Sequence, residues 1–270
     1  MQNKINKYGL RPLKKDIRDF KLSGVFARFD LSKLPDEFVV GQSEILDQQE
    51  TDYCTAFSTC AASAIQENKT LNPYWSFAVS KKISGDVDAW GQDLRTAIRV
   101  HTEYGAIENM INLGRDIVNY PILYKEAEGH KKQSYFSVDG PYDHFDNCRV
   151  ALYQNQDKKR FIITGCLWRT SWTGADKGII PEQYEKNGFG HAFVFAGWVK
   201  FGDKTYLKAQ LSNGQDIGLN GNFFFSREIV NKEFKFGSFL FVDLDPENIK
   251  KQQWNFWIKL LNFIKNLWRK

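Results

Sequence analysis

No stretch of this 270-residue chain runs for 18 apolar residues, so no ordinary membrane-spanning helix is expected. The opening "MQNKINKYGLRPLKKDIRDF" has no apolar core of the kind a secretory signal needs. Cysteine is scarce: four residues, at 54, 60, 148 and 166. None falls in a CxxC-type metal spacing, so neither a metal nor another cofactor is expected. Cys54 and Cys60 would share one helix about 9 Å apart, too far for a disulfide. Free thiols imply a reducing compartment, cytoplasmic or virion-associated. Charge is also modest, +5 overall. It is not gathered into a basic block, and no base-stacking motif occurs, so no nucleic-acid partner is expected.

What is present is enough for a real core: 42% hydrophobic residues, 22 of them Phe. Residues 1–33 are basic and polar with isolated apolar anchors (Tyr8, Leu10, Phe20, Phe26). They are expected to form an extended arm lying on a surface. A folded unit then spans 34–245. Its first part, about 48–130, carries helical patterns at 54–68, 72–83 (Pro73 in the first turn) and 92–104, where Leu94, Ala97, Ile98 and His101 form one stripe before Gly105. From about 131 to 245 the chain turns to short aromatic and β-branched runs: "RFIITGCLW", "HAFVFAGWV", "TYLKAQLS", "NFFFSREIV", "SFLFVDLD". Helices first and strands later predict an α+β fold with a helical lobe, a sheet lobe and a ligand cleft between them.

In "DQQETDYCTAFSTCAASAI" a polar loop becomes a small-residue helix at Cys54. A thiol there is either packed core or a nucleophile. The helix dipole and open N–H groups at that position favour a thiolate, the reactive form. Among four histidines, His101 reads as a core residue on its stripe, and His130 and His144 as loop residues. His191 differs: it follows Gly188 and Gly190 and opens a strand. Glycines let the backbone come close to something, and a strand end holds a side chain rigidly.

Taken together, these stretches resemble the papain family of cysteine peptidases over about residues 34–243. "LPDEF" resembles the start of the mature enzyme, and "DQQETDYCTAFS" the nucleophile loop. "GFGHAFVFAGW" resembles the histidine strand, and "IGLNGNFFF" a later glycine–aromatic motif. "DLRTAIRVHTEYGAI" resembles the helix after the substrate-binding glycines, and "YGLRPLKKDIRDF" the short basic leader of bacterial and phage members. The resemblance implies the family's two-lobed fold, with an antiparallel sheet lobe, and a peptide or protein substrate. It also implies roles: Cys54 as nucleophile, His191 as its acid–base partner, Gln48 as oxyanion donor and Gly91 as backbone partner of an extended substrate.

The departures are specific. The family's histidine-orienting Asn falls on Leu211 in "LSNG". Asn213 shares its strand face, so it either reaches His191 or serves as a turn residue before Gly214. Thr51 stands where the family has a disulfide cysteine. Asp52 and Tyr53 replace Gly-Ser, which would narrow the cleft or favour a basic substrate residue. Thr55 replaces the usual Trp. Two alternatives to a peptidase therefore stay open: an inactive binding or structural module, and another Cys–His acyl transferase or amidase.

The end of the chain, 246–270, is a separate object. In "QQWNFWIKLLNFIKNLWRK", Asn255, Lys259, Asn262, Asn266 and Arg269 fall on one helical face, and Trp, Leu, Ile and Phe fill the rest. Such a helix serves either a membrane surface or a partner protein.

Overall fold

The computed structural model of the chain describes residues 8–13, 16, 19, 21–22, 29–108, 110–112, 114–154 and 158–242. The expected C-terminal helix lies outside the described residues, as do the anchors Phe20 and Phe26. Among the described residues no helix is long and apolar enough to cross a membrane.

The helical lobe is built on helices whose starts are written in the sequence. Helix α1, Cys54–Glu67, stops at Asn68 in a left-handed turn (φ 54°). Helix α2, Pro73–Ser84, opens with Asn72 accepting from the Trp75 N–H and closes at Gly85, φ 71°. Helix α3, Leu94–Arg99, is capped by Asp93, which accepts from the Thr96 N–H. It continues as one π-helical turn, Val100–Tyr104, and ends at Gly105. The pattern at 92–104 is thus one helical rod with a widened last turn. A further helix, α4, spans Pro121–Glu128.

Among the described residues, the second lobe is a seven-stranded sheet. Its strands are β1 (Phe38–Val39), β2 (Ser134–Ser137), β3 (Ile162–Trp168), β4 (Phe189–Phe201), β5 (Lys204–Gln210), β6 (Asn222–Ser226) and β7 (Ser238–Val242). They run in the order β2-β7-β3-β4-β5-β6, with β1 against the far end of β4. Every pairing between these strands is antiparallel. Two local expectations fail for capping reasons. "PYDHFD", read as loop, opens helix α5 (His144–Tyr153), because Asp143 accepts from the Asp146 N–H. "NFFFSREIV" is strand only to Ser226, whose side chain then caps helix α7, Arg227–Glu233. A short helix, α6 (Thr170–Thr173), follows β3.

Three of the apolar clusters among the described residues position the site. The sheet lobe is aromatic, with Trp168, Trp198, Phe193 and Phe225 fully buried. The helical lobe has Trp75, Val79, Val100 and Ile107. A seam between them joins Cys54, Leu94 and Ile98 to Ile163, Ala192 and Phe239. Each large apolar side chain buried there contributes about 2–3 kcal/mol. The seam matters most for function, since it packs the start of α1 onto β4.

Candidate active site

Cys54 is the first residue of α1 and lies at the seam, fully buried. Its thiol receives hydrogen bonds from the backbone of Ala192, Gly9 and Thr55. Ala192 is the residue after His191, so the nucleophile candidate and the strand carrying the histidine meet directly. Burial pushes the thiol up to about 11, the hydrogen bonds oppose this, and the Asp52 charge adds to it. Burial outweighs these bonds, so near neutral pH the sulfur is a neutral thiol and not the thiolate that a helix start by itself favours.

His191 sits in β4 opposite Cys166 of β3 and is itself fully buried. Its Nε2 lies 2.9 Å from Asn213 Oδ1. Leu211, at the position expected from the family's spacing, is buried and apolar. Asn213 is held in place by an isolated antiparallel bridge to Asp47. The same pairing joins the Gln48 N–H to the Ser212 carbonyl at 2.8 Å. Gln48 is therefore fixed beside Asn213. Its Oε1 accepts from the Ser212 hydroxyl at 2.7 Å, and its Nε2 donates to the Thr51 carbonyl at 2.8 Å. The structure thus gathers Gln48, Cys54, His191 and Asn213 around one seam.

Gly91 is drawn in by other contacts than those expected. Its N–H donates to the Asp52 carboxylate, and its carbonyl accepts from Lys81 Nζ at 2.6 Å. Lys81 is buried and also donates to the Ala89 carbonyl. The loop before α3 is therefore clamped from two sides. Asp52 turns its charge onto this loop rather than into open cleft, and Tyr53 stacks on Phe77 with ring centroids 3.8 Å apart. The expected effect of these two residues, a narrowed cleft or a preference for basic substrates, does not follow from these positions. Backbone pairing with an extended segment passes to the next residue, Gln92.

That segment is the N-terminal arm. Residues 8–11 do not lie on an outer surface; they thread the cleft. The Gln92 N–H donates to the Gly9 carbonyl at 2.8 Å, and the Arg11 N–H donates to the Gln92 carbonyl at 3.0 Å. On the other wall the Leu10 N–H donates to the Gly190 carbonyl at 2.8 Å. Both walls need glycine. A Cβ on Gly91, which has φ +64°, would stand 1.9 Å from the Gly9 carbonyl oxygen, and one on Gly190 would stand 1.9 Å from that of Leu10. Leu10 is buried in the seam cluster with Cys54, Leu94 and Ala192. Arg11 ion-pairs with Asp86 at 2.6 Å, and its hydrogen bond, aided by one from Ser84, holds that carboxyl down at about 2.

The other histidines have structural partners. His130 Nδ1 lies 2.5 Å from Glu67 Oε2, and His144 Nε2 lies 2.9 Å from Ser238 Oγ. A second Cys–His contact exists, Cys60 Sγ to His101 Nε2 at 3.8 Å with Ser76 beside both. Burial pushes this thiol up to about 12 and this imidazole down to about 3, so both stay neutral and the contact is packing. Among the described residues no cluster of His, Cys, Asp or Glu could hold a metal ion.

Sequence reasoning missed the roles of Ser212, Lys81 and Asp52. Nothing local marks the first two. An acidic residue two before the candidate nucleophile was visible, but not what it would face.

No protein-family model matches the sequence, and no curated protein matches it. Solved structures do. The fold is similar to that of xylellain, a cysteine protease from Xylella fastidiosa, with 19% identity over 90% of this chain and 98% of that one, at a TM-score of 0.70. It is similar to procathepsin B S9 from Trypanosoma congolense, with 15% identity, 88% and 87% coverage and a TM-score of 0.63. It is also similar to digestive procathepsin L 3 of the Tenebrio molitor larval midgut, with 14% identity, 88% and 77% coverage and a TM-score of 0.66. Helical lobe, antiparallel sheet lobe and the cleft between them together make this chain one with the papain-like cysteine protease fold.

Proposed function

We propose that the protein is a cysteine peptidase whose cleft is closed by its own N-terminal arm. One observation carries the reading: Cys54 heads a helix packed against the strand of His191, and His191 Nε2 lies 2.9 Å from Asn213 Oδ1. An imidazole held at one nitrogen presents the other in a fixed direction. In the reaction, the Cys54 sulfur attacks a peptide carbonyl carbon, and its proton passes to His191. The C–N bond breaks as His191 returns that proton to the leaving amine. A water molecule then hydrolyses the thioester, releasing the acid and restoring the thiol.

Gln48 is the candidate oxyanion donor. Its amide nitrogen donates to the Thr51 carbonyl, on the loop that leads into Cys54. Ser212 fixes the amide oxygen, so the group keeps its orientation without substrate. Loss of such a donor costs about 10²–10³ in kcat.

A second reading is favoured by the complete burial of Cys54: a cleft that binds its own arm and does no chemistry. The two separate on hydrolysis of a fluorogenic peptide by three full-length chains. Leu10→Ala, which weakens the arm's hold on the seam, is expected to hydrolyse faster than the unaltered chain. Leu10→Ala with Cys54→Ala is expected to give nothing above background. Equal, background rates in all three would remove the peptidase reading.

A further inference from the structure

Tyr8, the residue before Gly9, sits in a site of its own. Its ring lies parallel to Phe189, with centroids 5.6 Å apart and planes at 5°. It meets the His191 ring edge-on, at 5.2 Å and 83°. Its hydroxyl is hydrogen-bonded to the Thr173 side chain. Thr173 Oγ1 accepts from Trp168 Nε1 at 3.0 Å, which fixes the hydroxyl and leaves it a hydrogen and a second lone pair with which to bond a phenol. Phe189 remains 48% exposed even with Tyr8 stacked on it. An aromatic ring held on a rim by a strand end, facing a fixed hydroxyl, is a recognition surface for a flat ring bearing a polar tip.

Chemistry gives this site its place in a substrate. His191 hands its proton to the leaving amine, so the leaving-group half lies on the imidazole's side of the sulfur. Gly9 lies at Cys54. Leu10 goes one way, into the seam against Leu94 and Ala192. Tyr8 goes the other, onto His191 and Phe189. We propose that Tyr8 occupies the side-chain site for the first residue after the scissile bond, and that the enzyme selects an aromatic residue there, tyrosine above phenylalanine. The inference rests on the peptidase reading and adds a substrate class to it. The walls are side chains of the sheet lobe, so they select a ring whichever way its backbone runs.

The test uses the full-length chain carrying Tyr8→Ala and Leu10→Ala, which vacates the site and loosens the arm's hold on the cleft, incubated with a mixture of random-sequence peptides. Cut positions are read by mass spectrometry. Tyr and Phe are expected on the carboxyl side of cuts about tenfold more often than Ala, the range that ring stacking and burial supply. Adding Phe189→Ala, a change at an exposed rim position, is expected to reduce that enrichment for both rings. Adding Thr173→Val is expected to remove the advantage of Tyr over Phe. Cuts with no aromatic enrichment would overturn this inference and leave the peptidase reading standing. No cuts at all would overturn both.

Discussion

Asp52 carries two separable loads. Its carboxylate is nearly buried and accepts the Gly91 N–H, which clamps the loop that presents Gln92. Its charge also pushes the Cys54 thiol up. Asp52→Ala removes both. A buried N–H left without an acceptor costs about 1–3 kcal/mol, and the lost bond was charge-assisted, so about 2 kcal/mol is the central value. For a folded unit of this size that is a fall in Tm of about 4–8 °C. Asp52→Asn keeps an oxygen in the same place and removes only the charge. A neutral hydrogen bond is about half as strong, so the expected loss is below about 1 kcal/mol. The thiol should respond to the charge alone, so Asp52→Asn is expected to lower the Cys54 pKa. Thermal unfolding gives the first quantity, and the pH dependence of Cys54 alkylation, followed by mass spectrometry, gives the second. If Asp52→Asn destabilised as much as Asp52→Ala, or raised the Cys54 pKa, the clamp would be misassigned.

Asn213→Ala is expected to slow peptide hydrolysis while leaving the folding midpoint nearly unchanged, because Asn213 is only partly buried; a Tm loss with full activity would show a merely structural Asn. All four thiols are buried, with Cys54 raised to about 11, Cys60 to about 12, and Cys148 and Cys166 higher. The folded chain therefore keeps protons that the unfolded chain releases above about pH 8.5. That stability is fully present below this pH and is lost as pH climbs toward the folded values, by about 1.4 kcal/mol per unit for each thiol titrating. Urea midpoints that stay constant from pH 8 to 10 would contradict it. For residues 252–270, vesicle flotation of full-length and truncated chains separates the two sequence-based expectations. Lipid-dependent flotation lost on truncation favours a membrane surface, and no flotation with lowered stability favours a protein contact.

The elements legible in the sequence are those with local signals. Asn72 with Pro73, and Asp93, announce the starts of α2 and α3 through caps that act within three residues. The alternating and aromatic runs gave the main strands. Helix α5 went unseen because its apolar face is short, although Asp143 and Asp146 carried a capping signal. Cys54 and His191 stood out because a small-residue helix and a glycine approach are local patterns. What they meet is not local. The arm bonds to Gln92 and Gly190, far along the chain, so only the folded cleft reveals that Leu10 is core rather than a surface anchor. Strand alternation placed Asn213 on the face of Leu211 as a residue able to reach His191, but the Asp47 bridge that accompanies the contact has no local signal.

If Cys54 alone among the cysteines is a nucleophile activated by His191, only its sulfur should react with an electrophile aimed at thiols. A vinyl-sulfone or epoxide thiol probe tests it most directly, applied to the full-length chain carrying Leu10→Ala and read by mass spectrometry. Losing the buried Leu10 side chain costs the arm about 2–5 kcal/mol of its hold, enough to open the cleft for labelling. A label is expected on Cys54, none on Cys60, Cys148 or Cys166, and the Cys54 label is expected to be lost when His191→Ala is added. Equal labelling of several cysteines, or Cys54 labelling that persists without His191, would contradict it.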